Sequence, residues 1–185
     1  MVGLVLVLVV VAGSAYALFS SSLSLNGMVL GTATANLRVS ADGVNYYSGS
    51  LNMLSLPPFA LLLPGETDWR EIWLNNNSTT DKLNMNLSAK ITATGGNWPE
   101  LKDAVQLRVC VYNSGFADNC DGGNATAWHT LNDWNASAIA LPGPLNQGDS
   151  QHYTLVFALP SSYGNGVSGM SITGMNFEVT GTQIP

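Results

Sequence analysis

From Met28 to the C-terminus, apolar residues recur at alternate positions in short runs separated by Gly, Asn and Pro, and no long stretch repeats every 3.6 residues. Alternation of this kind belongs to strands, whose successive side chains point to opposite faces of a sheet. The clearest case is Lys82–Thr94, where Leu83, Met85, Leu87, Ala89 and Ile91 define one face and Asn84, Asn86, Ser88 and Lys90 the other. Further strands are expected over Met28–Ser40, Val44–Tyr47, Asp68–Leu74, Ala104–Tyr112, Ile139–Leu141, Tyr153–Leu159 and Met170–Thr180. Between them, Pro57-Pro58 denies a ladder its N–H groups and predicts a kinked crossover with Phe59–Leu63 buried. Pro64-Gly65 supplies a turn, and Trp98-Pro99-Glu100-Leu101 a single helical turn. Eight to ten strands of this spacing, otherwise without helices, predict an all-β fold of two packed sheets.

The first thirty residues follow a different pattern. Met1–Ala12 is an almost unbroken run of Val and Leu, and Ala15-Tyr16-Ala17 follows it as a small-residue cleavage site would. The run has no preceding basic residue, since the first Lys or Arg is Arg38. Three readings stay open: a removed secretory signal, a retained pilin-like helix packed with its copies in a fibre core, and a membrane anchor, for which about 20 apolar residues are needed. If residues 1–17 are removed, the new N-terminus is Leu18–Leu30, uncharged and apolar at intervals. Such a segment needs a partner surface. It is expected to pair with a sheet, its own or that of a neighbouring copy, with Leu18, Phe19, Leu23, Leu25, Met28 and Leu30 filling the pockets.

Composition narrows the class of partner. Charged residues make up 10% of the chain, against about 25% in ordinary soluble proteins, so neutral Asn, Ser, Thr and Gly must solvate the surface. Weak mutual repulsion between copies suits lateral packing and an assembly. A net charge of −6 with six scattered basic residues excludes a phosphate-binding patch and hence nucleic acid. Cys110 and Cys120 enclose a polar loop and are read as a disulfide, the form expected of an exported, extracellular or cell-surface protein. Asn-X-Ser/Thr sequons begin at Asn76, Asn77, Asn86, Asn124 and Asn135, and mark exposed loops wherever the host glycosylates them. A sequence this rich in Asn, Ser and Thr also produces sequons by chance.

The order of the segments resembles the TasA and camelysin family of biofilm matrix fibre proteins and the related archaeal bundling pilins. Four stretches carry the resemblance: Ala17-Leu18-Phe19-Ser20 after the signal-like run; Gly31–Ser40; Leu63-Pro64-Gly65-Glu66-Thr67 leading to Ile72-Trp73-Leu74-Asn75-Asn76; and Phe157–Pro185 with Leu159-Pro160, Met175-Asn176-Phe177-Glu178-Val179 and Gln183. The resemblance implies a jelly-roll-like sandwich over residues 31–185. It also implies a homopolymer built by donor-strand complementation, with residues 18–30 inserted into the next subunit; whether such fibres also bundle laterally stays open. A membrane is then met only during export, or if residues 1–17 are retained.

Chemistry has little foothold. His129 and His152 are far apart and lack metal-ligand spacing, and neither His-Glu-x-x-His nor Gly-x-Ser-x-Gly occurs, so no catalytic step, metal or cofactor is expected. The loop Asp118–Asn124 carries oxygen ligands, but its spacing departs from the EF-hand pattern and it reads more simply as a solvated turn. Trp69, Trp73, Trp98, Trp128 and Trp134 serve core and interface packing, or else form a sugar platform in a monomeric carbohydrate-binding sandwich. Trp69 and Trp73 are four apart, which places both on one face of a strand.

Overall fold

The computed structural model describes residues 36–48, 51–52, 62–78, 83–92, 95–167, 169–173 and 175–184. The expected donor segment 18–30, the alternatives for residues 1–17 and the crossover around Pro57-Pro58 lie outside these.

Thirteen strands are described. They are β1 (Leu37–Ser40), β2 (Tyr47–Ser48), β3 (Leu51–Asn52), β4 (Thr67–Asn76), β5 (Met85–Thr92), β6 (Gly95–Gly96), β7 (Gln106–Tyr112), β8 (Cys120–Ala125), β9 (His129–Thr130), β10 (Ile139–Leu145), β11 (Ser150–Ala158), β12 (Ile172–Thr173) and β13 (Asn176–Gln183). The larger sheet has the order β2-β1-β4-β11-β7-β8, with β9 also on β7; the smaller has the order β10-β5-β13-β3. Every pairing is antiparallel, and a two-stranded ribbon, β12-β6, lies apart. The chain is an all-β two-sheet sandwich, as the alternating pattern predicts.

Register decides which residues meet in the core. On β4, Ile72 and Leu74 face inward opposite Tyr153 and Gln151 of β11, and Tyr153, Leu155 and Phe157 continue the inward row against Val111, Val109 and Leu107 of β7. From the other sheet, Met85, Leu87, Ala89 and Ile91 of β5 and Phe177 of β13 close the same core. Burying each of the Val, Leu, Ile, Met and Phe side chains among them is worth about 1.5–3 kcal/mol. Gly181 of β13 leaves the room that Met85 fills, since a β-carbon there would lie 2.6 Å from Met85 Sδ.

Polar groups also join the sheets. Tyr153 donates its hydroxyl to Pro142 O of β10 at 2.9 Å, and burial pushes its pKa up to about 12. Asn76, fully buried at the end of β4, donates through Nδ2 to Leu83 O at 2.6 Å and to Leu145 O at 3.2 Å. Its Oδ1 accepts from Ser78 Oγ at 2.5 Å.

The structure corrects the sequence reading in three places. Leu63 is 52% exposed rather than buried, because it opens the turn closed by the Glu66 N–H to Leu63 O bond at 2.9 Å, with Gly65 at φ 93°. Val44 lies in a bend and not a strand: the Asp42 carboxylate accepts from the N–H groups of Val44 and Asn45, and Ser40 Oγ donates to it. These bonds, Asn45's foremost, hold Asp42 well below the usual carboxylate range.

The third correction is a helix. Besides α1 (Trp98–Leu101), a second helix, α2 (Leu131–Ala136), forms between β9 and β10, where no helix is expected. A capping box starts it: Asp133 N–H donates to Thr130 Oγ1, and the Asp133 carboxylate accepts from Thr130 N–H and hydroxyl. These Thr130 bonds lower the Asp133 pKa. The helix puts Trp134 into the core, where its Nε1 donates to Leu107 O at 3.1 Å. Among the described residues, no helix is long and apolar enough to cross a membrane.

Candidate functional site

Two surfaces stand out once the register is known, the outer face of the larger sheet and one edge of the smaller. On the outer face, side chains from β4, β11 and β7 line up in cross-strand rows. Trp69, Val156 and Arg108 form one row, and Glu71, Thr154 and Cys110 the next. The third row is aromatic: His152 lies opposite Trp73 with ring centroids 4.1 Å apart, and Tyr112 stacks on it from the opposite side at 3.8 Å.

The β7–β8 loop curls back over these rows. Asn119, at φ 52°, donates through Nδ2 to Glu71 Oε1 at 3.1 Å, and its carbonyl accepts from Thr154 Oγ1 at 2.6 Å. Glu71 Oε2 lies 3.0 Å from His152 Nε2. Burial lowers the His152 pKa, and the Glu71 carboxylate opposes that shift in part. The expected disulfide is present: Cys110 and Cys120 are joined across the loop's neck, with Cα atoms 5.2 Å apart. Together with Val156 the two cysteines form a small second core, with Trp69 and Ala125 against it.

The tryptophans divide accordingly. Trp69 and Trp73 share the outer face of β4, as their spacing predicts, yet Trp73 is stacked on His152 and overlain by Gly43. A β-carbon at Gly43 would sit 3.1 Å from the indole, and its φ is 71°. Trp134 belongs to the core, and Trp98 packs against it. Trp128 remains 38% exposed, with the Arg108 guanidinium over its ring at 4.7 Å.

Sequon asparagines fall in different environments. Asn77, Asn86 and Asn124 are exposed, and Asn135 is half-buried with Nδ2 donating to Ile91 O. Asn76 has its amide nitrogen bonded in the core, so the fold leaves no room for a glycan there. In the loop weighed as a calcium site, Asp118 bonds Arg108 and Cys120 N–H, and Asp121 bonds Gly123 N–H and Asn124 Nδ2. Among the described residues, no three His, Cys, Asp or Glu side chains group to hold a metal ion.

Sheet edges differ sharply in how they are finished. β10 carries Pro142, Gly143 and Pro144 with a register shift between Ala140 and Pro144, and β8 has a register shift of its own opposite Cys110 and Val111. Prolines and bulges blunt an edge against further pairing. β13 is different. It pairs with β5 along all of Asn176–Gln183, but with β3 only at Asn176 and Phe177. Among the described residues, Glu178–Gln183 has no strand on that side, and it contains neither proline nor bulge.

Fold and surfaces together define an all-β sandwich with a disulfide-clamped outer face and, among the described residues, a regular β13 edge without a neighbouring strand along Glu178–Gln183. Compared with models of known protein families the chain matches none, and no curated protein matches it.

Proposed function

We propose that this protein is the subunit of an extracellular filament that polymerises by donor-strand complementation, with residues 18–30 of one copy adding to the β13 edge of the next. The observation that carries the reading is that edge: among the described residues, six regular residues with no neighbouring strand, where the β10 and β8 edges are interrupted by proline or a register shift. An added strand gains main-chain hydrogen bonds along Glu178–Gln183 and places alternate side chains over the sandwich, where Val179 is only partly buried. The apolar alternation of Leu23 and Leu25 supplies the matching period. Head-to-tail addition of this kind propagates unless geometry closes a ring. The disulfide agrees with export to an oxidising compartment, and the low charge density leaves little repulsion between neighbouring fibres.

The test pairs mass spectrometry of the N-terminus with electron microscopy on native material, and adds a truncated protein starting at Gly31. Filaments beginning at Leu18, with a truncated protein that stays monomeric until it binds a Leu18–Leu30 peptide, are the expected result. Filaments that retain Met1 would favour instead the pilin-like reading, with the apolar N-terminal segment in the fibre core. A truncated protein that polymerises unaided would overturn the reading.

A further inference from the structure

We propose that Trp128, Arg108 and Asp118 form a binding site for a neutral polysaccharide on the outer face of the larger sheet. This goes beyond filament assembly and does not depend on it. The starting point is the contrast among the outer-face rings. In the Trp73–His152–Tyr112 stack, His152 is held between two neighbours, and Trp73 is closed off by His152 and Gly43. Trp128 has Arg108 over its ring at 4.7 Å and is still 38% exposed.

The apolar C–H face of a pyranose ring stacks on an indole, while its hydroxyls seek donors and acceptors at the rim. Both are at hand. Arg108 Nη2 donates to Asp118 Oδ2 at 3.0 Å, which holds the guanidinium and the carboxylate side by side, both partly exposed. Arg108 Nε is buried, but the four Nη hydrogens and the about four acceptor sites of the carboxylate outnumber the bonds these groups already make to each other and to Cys120 N–H, so the pair keeps capacity for neighbouring hydroxyls. Gly122 and Gly123 beside the pair are exposed and present no side chain, and a β-carbon added at Gly122 would meet only Arg108 Nη1, at 4.0 Å.

The site is also pre-organised. Asp118 Oδ1 accepts from Cys120 N–H at 3.2 Å, and the disulfide pins Cys120 to β7 two residues from Arg108. Rigid placement lowers the ordering cost of binding. Phe116, 49% exposed, lies in the same loop two residues before Asp118. The charge of the ligand follows from the acids. Asp118 and Asp121 flank the site and the chain carries −6, so a carboxylated or sulfated sugar is repelled while a neutral one is not.

The experiment titrates the full-length protein, bearing Cys110–Cys120 oxidised, with soluble neutral glucan, mannan and galactan, and with polygalacturonate as the acidic control. Trp128→Ala, Trp128→Phe, Asp118→Asn and Tyr47→Ala are compared; Tyr47 is exposed on β2 and lies outside the site. Binding to at least one neutral polymer is expected, weakened about thirty-fold by Trp128→Ala, as for loss of an aromatic anchor. Trp128→Phe should retain part of it, Asp118→Asn should weaken it, and Tyr47→Ala should leave it unchanged. Matching thermal unfolding of the variants guards against a folding artefact. Binding to none of the neutral polymers, equal or tighter binding of polygalacturonate, or an unaffected Trp128→Ala would each overturn the proposal. Filament formation, read separately by microscopy, has no bearing on these outcomes.

Discussion

Asn76→Ala is the most telling single perturbation of the fold. The Asn76 side chain is fully buried and joins three segments: it donates to Leu83 O before β5 and to Leu145 O at the end of β10, and accepts from Ser78 Oγ. Removing it leaves two carbonyls, the Ser78 hydroxyl proton and the Ser78 N–H without that partner in the interior, each costing about 1–3 kcal/mol if nothing replaces it. The Ser78 oxygen still accepts from Asn36 N–H, and a carbonyl has a second lone pair, so the sum falls towards the lower end. A loss of about 2–4 kcal/mol is expected, a large part of the roughly 5–15 kcal/mol that holds a domain folded. Denaturant unfolding measures it, with Asn77→Ala as the exposed control, expected within about 0.5 kcal/mol of the parent. Asn76→Asp sharpens the test, because it turns an oxygen instead of an N–H towards the two carbonyls. Its deficit should be at least as large at neutral pH and should shrink in acid, where the protonated carboxyl regains one donor. An Asn76→Ala loss below about 1 kcal/mol would refute the argument that this amide staples the sheets.

Two further outcomes can be measured on the same protein. Replacing both Cys110 and Cys120 with Ser opens a loop with a sequence separation of 10 and should cost about 2–3 kcal/mol by chain entropy; unfolding in the presence and absence of reductant should give the same difference for the parent and none for the variant. His152 is half-buried between two rings, and burial holds its pKa below the ordinary histidine value of about 6.5, so the unfolded chain binds the extra proton first. Stability from this group is therefore present above about pH 6.5 and lost as pH falls through the folded-state value, and His152→Gln should flatten the stability profile in that window.

How much of this was legible beforehand depended on how local each signal is. The alternation of β5 is written in consecutive residues, and Met85, Leu87, Ala89 and Ile91 are core in the structure as in the pattern. Pro64-Gly65 likewise carries its own turn geometry. The helix α2 was marked by Thr130 and Asp133, the capping box that a search for apolar periodicity in a Gly- and Asn-rich insertion passes over. The outer-face rows were not legible at all. Glu71, Tyr112 and His152 are brought together only by the pairing of β4 with β11 and of β11 with β7, and no spacing along the chain encodes that register. Arg108 and Trp128 meet for the same reason, across the register shift of β8.

That dependence on register bears on the open edge as well. A β13 shifted by one residue against β5 would turn Phe177 outward and expose the edge with the opposite set of side chains. Register here is fixed by Phe177 in the core and by Gly181 against Met85, both on the side of the strand that faces the sandwich. The strand is thus held by its inner face and by β5, and among the described residues no strand occupies its other edge along Glu178–Gln183. Pairing along Glu178–Gln183 would then need no refolding of the acceptor, and its rate should be set by the incoming segment alone. Polymerisation that is limited by unfolding of the acceptor, seen as a dependence on denaturant matching that of global unfolding, would contradict this.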